Sequence, residues 1–178
     1  MPWWRPALTL LGLGSLTLAL ASPLDAQAHR RFAAHMIQHL LLVAVAAPAL
    51  LLADPFAALL WALPTRLRLS VGRLLVRGAP ARRVWRALTR MPVAWIAYAV
   101  VLWGWHLPWV YESALGDRFL HDLEHLALFG SAILFWWPVA GPAPHFGRPG
   151  DPALRVAYLV MLAVILLLYR FFASETAR

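Results

Sequence analysis

The sequence predicts an all-α membrane protein, a bundle of about five transmembrane helices with its N-terminus cytoplasmic. Three observations point there. Hydrophobic residues make up 62% of the 178, charged residues only 13%, and the mean hydropathy is +0.66, a composition that soluble globular domains do not reach. Apolar runs of membrane length recur along the chain, separated by polar or Pro/Gly-rich joints. The 16 basic residues, all arginine, fall mostly on one side of the resulting alternation.

The first span is expected over about 3–24, anchored by Trp3, Trp4 and Arg5 at the inner interface. Ala19-Leu20-Ala21 has the look of a signal-peptidase site, but the run from Trp3 to Leu24 is long enough to be retained as a helix. The stretch 22–33 reads as an outer loop, and the second span as 33–53, with Pro48 bending its lower half. Residues 65–90 carry eight arginines and form a cytoplasmic loop with a surface-lying helix, a specific anionic-lipid or partner site being the sharper reading. The third span is 92–111, and Pro108 should loosen it beside His106. A short outer loop, 112–120, leads into the fourth span, 121–140. A Pro/Gly-rich joint then leads to the fifth, 153–172, making one helical membrane domain over 1–178.

This order places Arg5, the eight arginines of 65–90, Arg148 and Arg155 inside, and Arg30, Arg31, Arg118, Arg170 and Arg178 outside. The bias follows the positive-inside rule. Arginines scattered through short joints between apolar runs make the lipid bilayer, and no nucleic acid, the partner that the charge implies. With no cysteine, a metal site would have to use His, Met or carboxylate.

Histidine is where the chemistry concentrates. His35 and His39 open the second span, and His121 and His125 open the fourth; residues four apart share one helix face. His106 lies about 21 Å above Pro92 at 1.5 Å per residue, so it reaches the same outer depth. Five ionisable side chains from three helices at one level mark a functional cluster, because such groups are expensive inside a membrane. Imidazoles without thiolate suit copper, zinc or haem iron. Asp122 and Glu124 flank the second pair and can orient imidazole N–H groups from behind. Met36 adds a thioether suited to copper(I), although a helix Met is more often packing.

The stretches SPLDAQAHRRFAAHM, HMIQHLLLVAVAAPALLL, WGWHLP and HDLEHLALFGSAILFWWPV, within about 22–140, resemble the multi-spanning CtaG family of cytochrome c oxidase assembly factors. The resemblance implies a multi-pass protein of the bacterial plasma membrane that works with haem-copper oxidase subunits and binds or delivers copper. It carries the family's histidines onto His35, His39, His106, His121 and His125. Members of that family usually have seven spans, against five counted here, so a homo-oligomer stays open.

Other readings compete with it. His121-x-x-Glu124-His125 satisfies the inverted zinc-protease pattern with Glu124 as general base, but it leaves His35, His39 and His106 unexplained. Facing histidines can also ligate a b-type haem, and a metal-free scaffold for oxidase subunits remains. The non-enzymatic reading is preferred.

Overall fold

In a computed structural model the described residues are 2–142 without His29 and Arg77, together with Pro152, Val156 and 158–160; for Ala57, Ala58 and Leu75 only the backbone is described. The chain divides into two units, Met1–Gly147 and Arg148–Arg178, and the first contains every element discussed below. The expected fifth span lies largely outside the described residues, as do His29 and His145.

Among the described residues all regular structure is helical. The helices are α1 (Trp4–Leu20), α2 (Pro23–Ala28), α3 (Phe32–Ala53), α4 (Phe56–Ala62), α5 (Thr65–Leu75), α6 (Pro80–Leu88), α7 (Met91–Trp105), α8 (Pro108–Gly116) and α9 (Arg118–Ala140). Two of them, α3 with 22 residues and α9 with 23, are long and apolar enough to cross a membrane; a third span results if α6 and α7, bent by 71°, are taken together.

Several expectations change, most of them for a local reason. The first helix stops at Leu20 rather than reaching residue 24, because Ala21 leaves the helical region (φ −133°) and Ser22 caps a new helix, its Oγ accepting from Leu24 N at 3.1 Å. The stretch 22–33 is therefore not a loop throughout. The third helix ends at Trp105 and not at 111. Pro108 cannot donate to the Gly104 carbonyl, so the chain closes with tighter bonds, His106 N to Trp103 O and Leu107 N to Gly104 O. The same proline fits the first turn of α8, whose amides need no partner there. What reads as an outer loop, 112–120, is thus mostly helix, and Asp117 alone separates α8 from α9. Its side chain caps α9 by accepting from Phe119 N (2.7 Å) and Leu120 N (3.2 Å), which starts the fourth helix at Arg118 instead of 121. Finally, residues 65–90 hold two helices, α5 and α6.

Proline acts differently in α3. Residues Leu41–Ala46 form a π-helical turn ahead of Pro48. In that register Ala47 N bonds to Leu42 O, five residues back, so the next carbonyl, Val43 O, would face the nitrogen of Pro48, which has no hydrogen. The orphaned carbonyl takes the Trp136 indole Nε1–H of α9 at 2.8 Å. A defect in one helix thereby becomes a hydrogen bond to its neighbour.

α3 packs between α1 and α9, and α9 packs in turn on α7. α1 runs antiparallel to α3 with Gly12 against Leu50 and the end of α1 beside Gln38. Its buried residues are Gly12, Ser15 and Ala19, and α3 answers with buried Ala46, Ala47, Ala49 and Ala53. Small residues let the two backbones approach closely, which is how helices associate in lipid. On the other side Tyr98 of α7 meets Phe135 of α9 with ring centroids 5.0 Å apart. This axial register brings the starts of α3 and α9 and the end of α7 to one end of the bundle.

Candidate metal centre

On α3 the positions 35, 38, 39 and 42 share one face, and on α9 the positions 121, 124, 125 and 128 do the same. All eight of these side chains are buried. The two faces meet. His121 Nε2 lies 3.3 Å from His35 Nδ1, so one of the two donates to the other. Ring centroids are 4.2 Å apart for His35 and His39 and 4.3 Å for His121 and His125. Across the helices they are 5.2 Å apart for His35 and His121 and 5.5 Å for His39 and His125. The half-buried His106, just past the end of α7, places its ring 5.4 Å from that of His39, and its Nδ1 is 2.6 Å from Leu102 O. A carbonyl can only accept, so Nδ1 carries the hydrogen and the lone pair sits on Nε2. All five predicted histidines therefore come together.

Glu124 stands differently from its expected place behind the imidazoles. Fully buried, it points its Oε1 across to α3, 3.6 Å from His35 Nε2 and 3.6 Å from His39 Nε2. His35, His39 and Glu124 each offer a ligand atom, and these lie within 4.8 Å of one another. Asp122, one residue past His121 and about 100° around the helix, is exposed. Met36 is half-buried beside His35 in sequence, but off the face that His35 and His39 share.

The donor set can be tested against a cation. Separations of 3.6 Å are too long for hydrogen bonds. Both carboxylate oxygens of Glu124, His35 Nε2, both ring nitrogens of His39 and His125 Nε2 are buried with no hydrogen-bond partner. Leaving one such group unmet is costly, and a carboxylate most of all. Two donors bonded to one ion at about 2.1 Å can lie up to about 4.2 Å apart, so a cation can bridge either 3.6 Å pair, and the three ligand atoms, within 4.8 Å of one another, need only a small side-chain adjustment to close on one ion. Imidazole nitrogen and carboxylate oxygen with no sulfur fit a first-row transition metal. The residues present fit the group.

Two further residues belong to the site without having been singled out in the sequence. Gln38, fully buried between the two histidine turns, donates from Nε2 to Ala19 O (2.7 Å) and to Asp25 Oδ1 (3.0 Å). It ties the end of α1 and the short α2 to the histidine face of α3. Tyr111, carried by α8, sets its ring 5.4 Å from that of His35 and 5.9 Å from that of Phe32. Gln38 was legible as a polar residue three past His35 in an otherwise apolar run. Tyr111 was not, since its approach depends on the break at Pro108.

Comparison with curated proteins and with solved structures gives no match. The family model of the cytochrome c oxidase caa3 assembly factor (Caa3_CtaG) matches residues 1–171, and so covers every helix described and each residue of the histidine centre. With that extent of match and with its motif histidines gathered in one place, the chain belongs to the Caa3_CtaG family of cytochrome c oxidase assembly factors.

Proposed function

We propose that the protein binds copper at the histidine end of the bundle and supplies it to a haem-copper oxidase during assembly in the bacterial plasma membrane. One observation carries this reading: Glu124, fully buried and without a hydrogen bond, faces two imidazole nitrogens at 3.6 Å. A bound cation removes the desolvation cost on all three side chains at once. His35, His39 and Glu124 hold the ion, with His121 fixing the orientation of His35 through the 3.3 Å contact. His125 and His106 flank His39. Copper here is cargo, and imidazole is among the ligands that suit it.

The inverted-protease reading requires Glu124 to face a water beside the ion, on the side from which a substrate arrives. Its oxygen instead faces the imidazoles of α3. Titrating the detergent-purified protein with copper(I) tests the proposal: one ion per chain is expected, with no Soret band. Absence of saturable copper binding would return the protein to a metal-free scaffold, and a Soret band would assign the histidines to haem.

The proposed topology puts the N-terminus and 65–90 in the cytoplasm and the histidine end outside, which the arginine bias supports. Because the chain has no cysteine, a single Ala79→Cys variant reports this without background. It should resist an impermeant thiol reagent in intact cells and react once the membrane is opened. Reaction in intact cells would invert the orientation.

A further inference from the structure

At the end of the bundle away from the histidines, α6 divides its surface cleanly. Arg82, Arg83 and Arg86 fall within about 100° of arc, while Ala81, Val84, Trp85 and Leu88 fill the opposite side. Trp85 sets the depth of this helix, because its ring packs edge-on against Trp137 near the end of α9, with centroids 4.9 Å apart. Val84 and Leu88 remain exposed beside it, as do Arg83 and Arg86 on the other face. α5 shares the pattern only in part, because Arg68 lies about 200° round from Arg66 and Leu69 is exposed on the other flank. Arg66 and Arg73 share an exposed face with Ser70, while Leu67 and Leu74 are exposed to one side. Arg68 lies over the exposed Trp61 ring, its guanidinium carbon 4.6 Å from the centroid. Between Asp54 and Glu112 the chain holds no acidic residue at all.

Positive-inside bias explains why arginines lie on this side, but it does not require them to be sorted onto one face of a helix. We propose that α5 and α6 form a binding surface for anionic glycerophospholipid headgroups, with their apolar sides in the acyl boundary and their guanidinium groups on the phosphates. The apolar side of α6 is continuous with the bundle through Trp85, so the arginine side is held at headgroup level and faces away from the hydrocarbon. Guanidinium groups suit this role because each presents a planar pair of donors to a phosphate. The segment 55–111 contains no carboxylate of its own to pair with them. The proposal is independent of the metal site, which lies at the opposite end.

The test uses the full-length protein in a nonionic detergent. Phosphatidylglycerol added to the micelles should raise the melting temperature, an effect weakened by salt, while phosphatidylcholine should not. In Arg66→Gln/Arg73→Gln/Arg83→Gln/Arg86→Gln the shift should vanish, with apparent affinity for the anionic lipid down by about a hundredfold or more. Lys at the same four positions should keep part of it. A fluorophore on Ala87→Cys gives a second readout that leaves every arginine in place: its emission should change with phosphatidylglycerol alone. An equal response to phosphatidylcholine overturns the proposal, and so does a shift that survives the Gln substitutions. A response reproduced by inorganic phosphate also overturns it, because the site would then take any phosphate anion.

Discussion

Replacing His39 and His125 together with alanine should abolish copper(I) binding. These two residues sit one turn deeper than His35 and His121, and both are buried, so water cannot take the place of a lost imidazole. His39 contributes a nitrogen 3.6 Å from Glu124 Oε1, and its ring neighbours those of His35, His106 and His125. Glu124→Gln keeps shape and removes charge. Standing among the ligand atoms rather than behind them, it should weaken binding by more than the roughly 10–100-fold expected of a residue that only orients a ligand. Asp122→Asn, on an exposed position, should change affinity little. Isothermal titration or competition with a copper(I) chelator measures all three, with helix content by circular dichroism as the check on folding. If the double variant binds copper as the parent does, the metal reading fails and the scaffold reading replaces it. Should Glu124→Gln retain full affinity while Asp122→Asn loses it, the assignment of the carboxylates is reversed.

Gly12→Leu should be the most damaging single substitution away from the site. A Cβ at Gly12 would lie 2.6 Å from Leu50 Cγ and 2.7 Å from its Cδ2, with the Leu50 backbone nitrogen at 3.3 Å. A whole leucine cannot be accommodated unless α1 moves away from α3, and over-packing of this kind costs about 1–3 kcal/mol. Helices in lipid have little hydrophobic drive to stay together, so lost close packing is not readily compensated. Gly14, two residues on, has nothing within 4 Å of the corresponding Cβ, so Gly14→Leu is the matched control and should leave the melting temperature unchanged. The consequence for function runs through Gln38. Moving α1 pulls Ala19 O from its 2.7 Å bond to Gln38 Nε2, between the two histidine turns of α3, so Gly12→Leu should also lower copper affinity. Equal melting temperatures for the two leucine variants would show that α1 does not pack on α3 at this point.

Helical period was enough to read much of the centre from the sequence. His35 with His39 and His121 with His125 must share faces whatever surrounds them, because 3.6 residues per turn is a property of the backbone. The same period places two more residues. Gln38 and Glu124 stand one position before the second histidine of each pair and so lie on the histidine face, whereas Asp122 points about 100° away. The effect of Pro108 on its own turn was likewise legible, since a missing donor acts locally.

What only the tertiary structure decided is how these faces meet. That Glu124 reaches His35 and His39, and that His106 lies beside His39, depends on the axial shift and rotation of α3, α7 and α9 against one another. Those are set by many small contacts such as Gly12 on Leu50 and Tyr98 on Phe135, none of which is visible in its own stretch of chain. The π turn shows the same division. Pro48 dictates that a carbonyl of α3 must go without its amide, but the identity of its new partner, Trp136, follows from which helix happens to lie 2.8 Å away. Backbone chemistry thus specified the faces and the breaks, and packing between helices specified which side chains share one buried space.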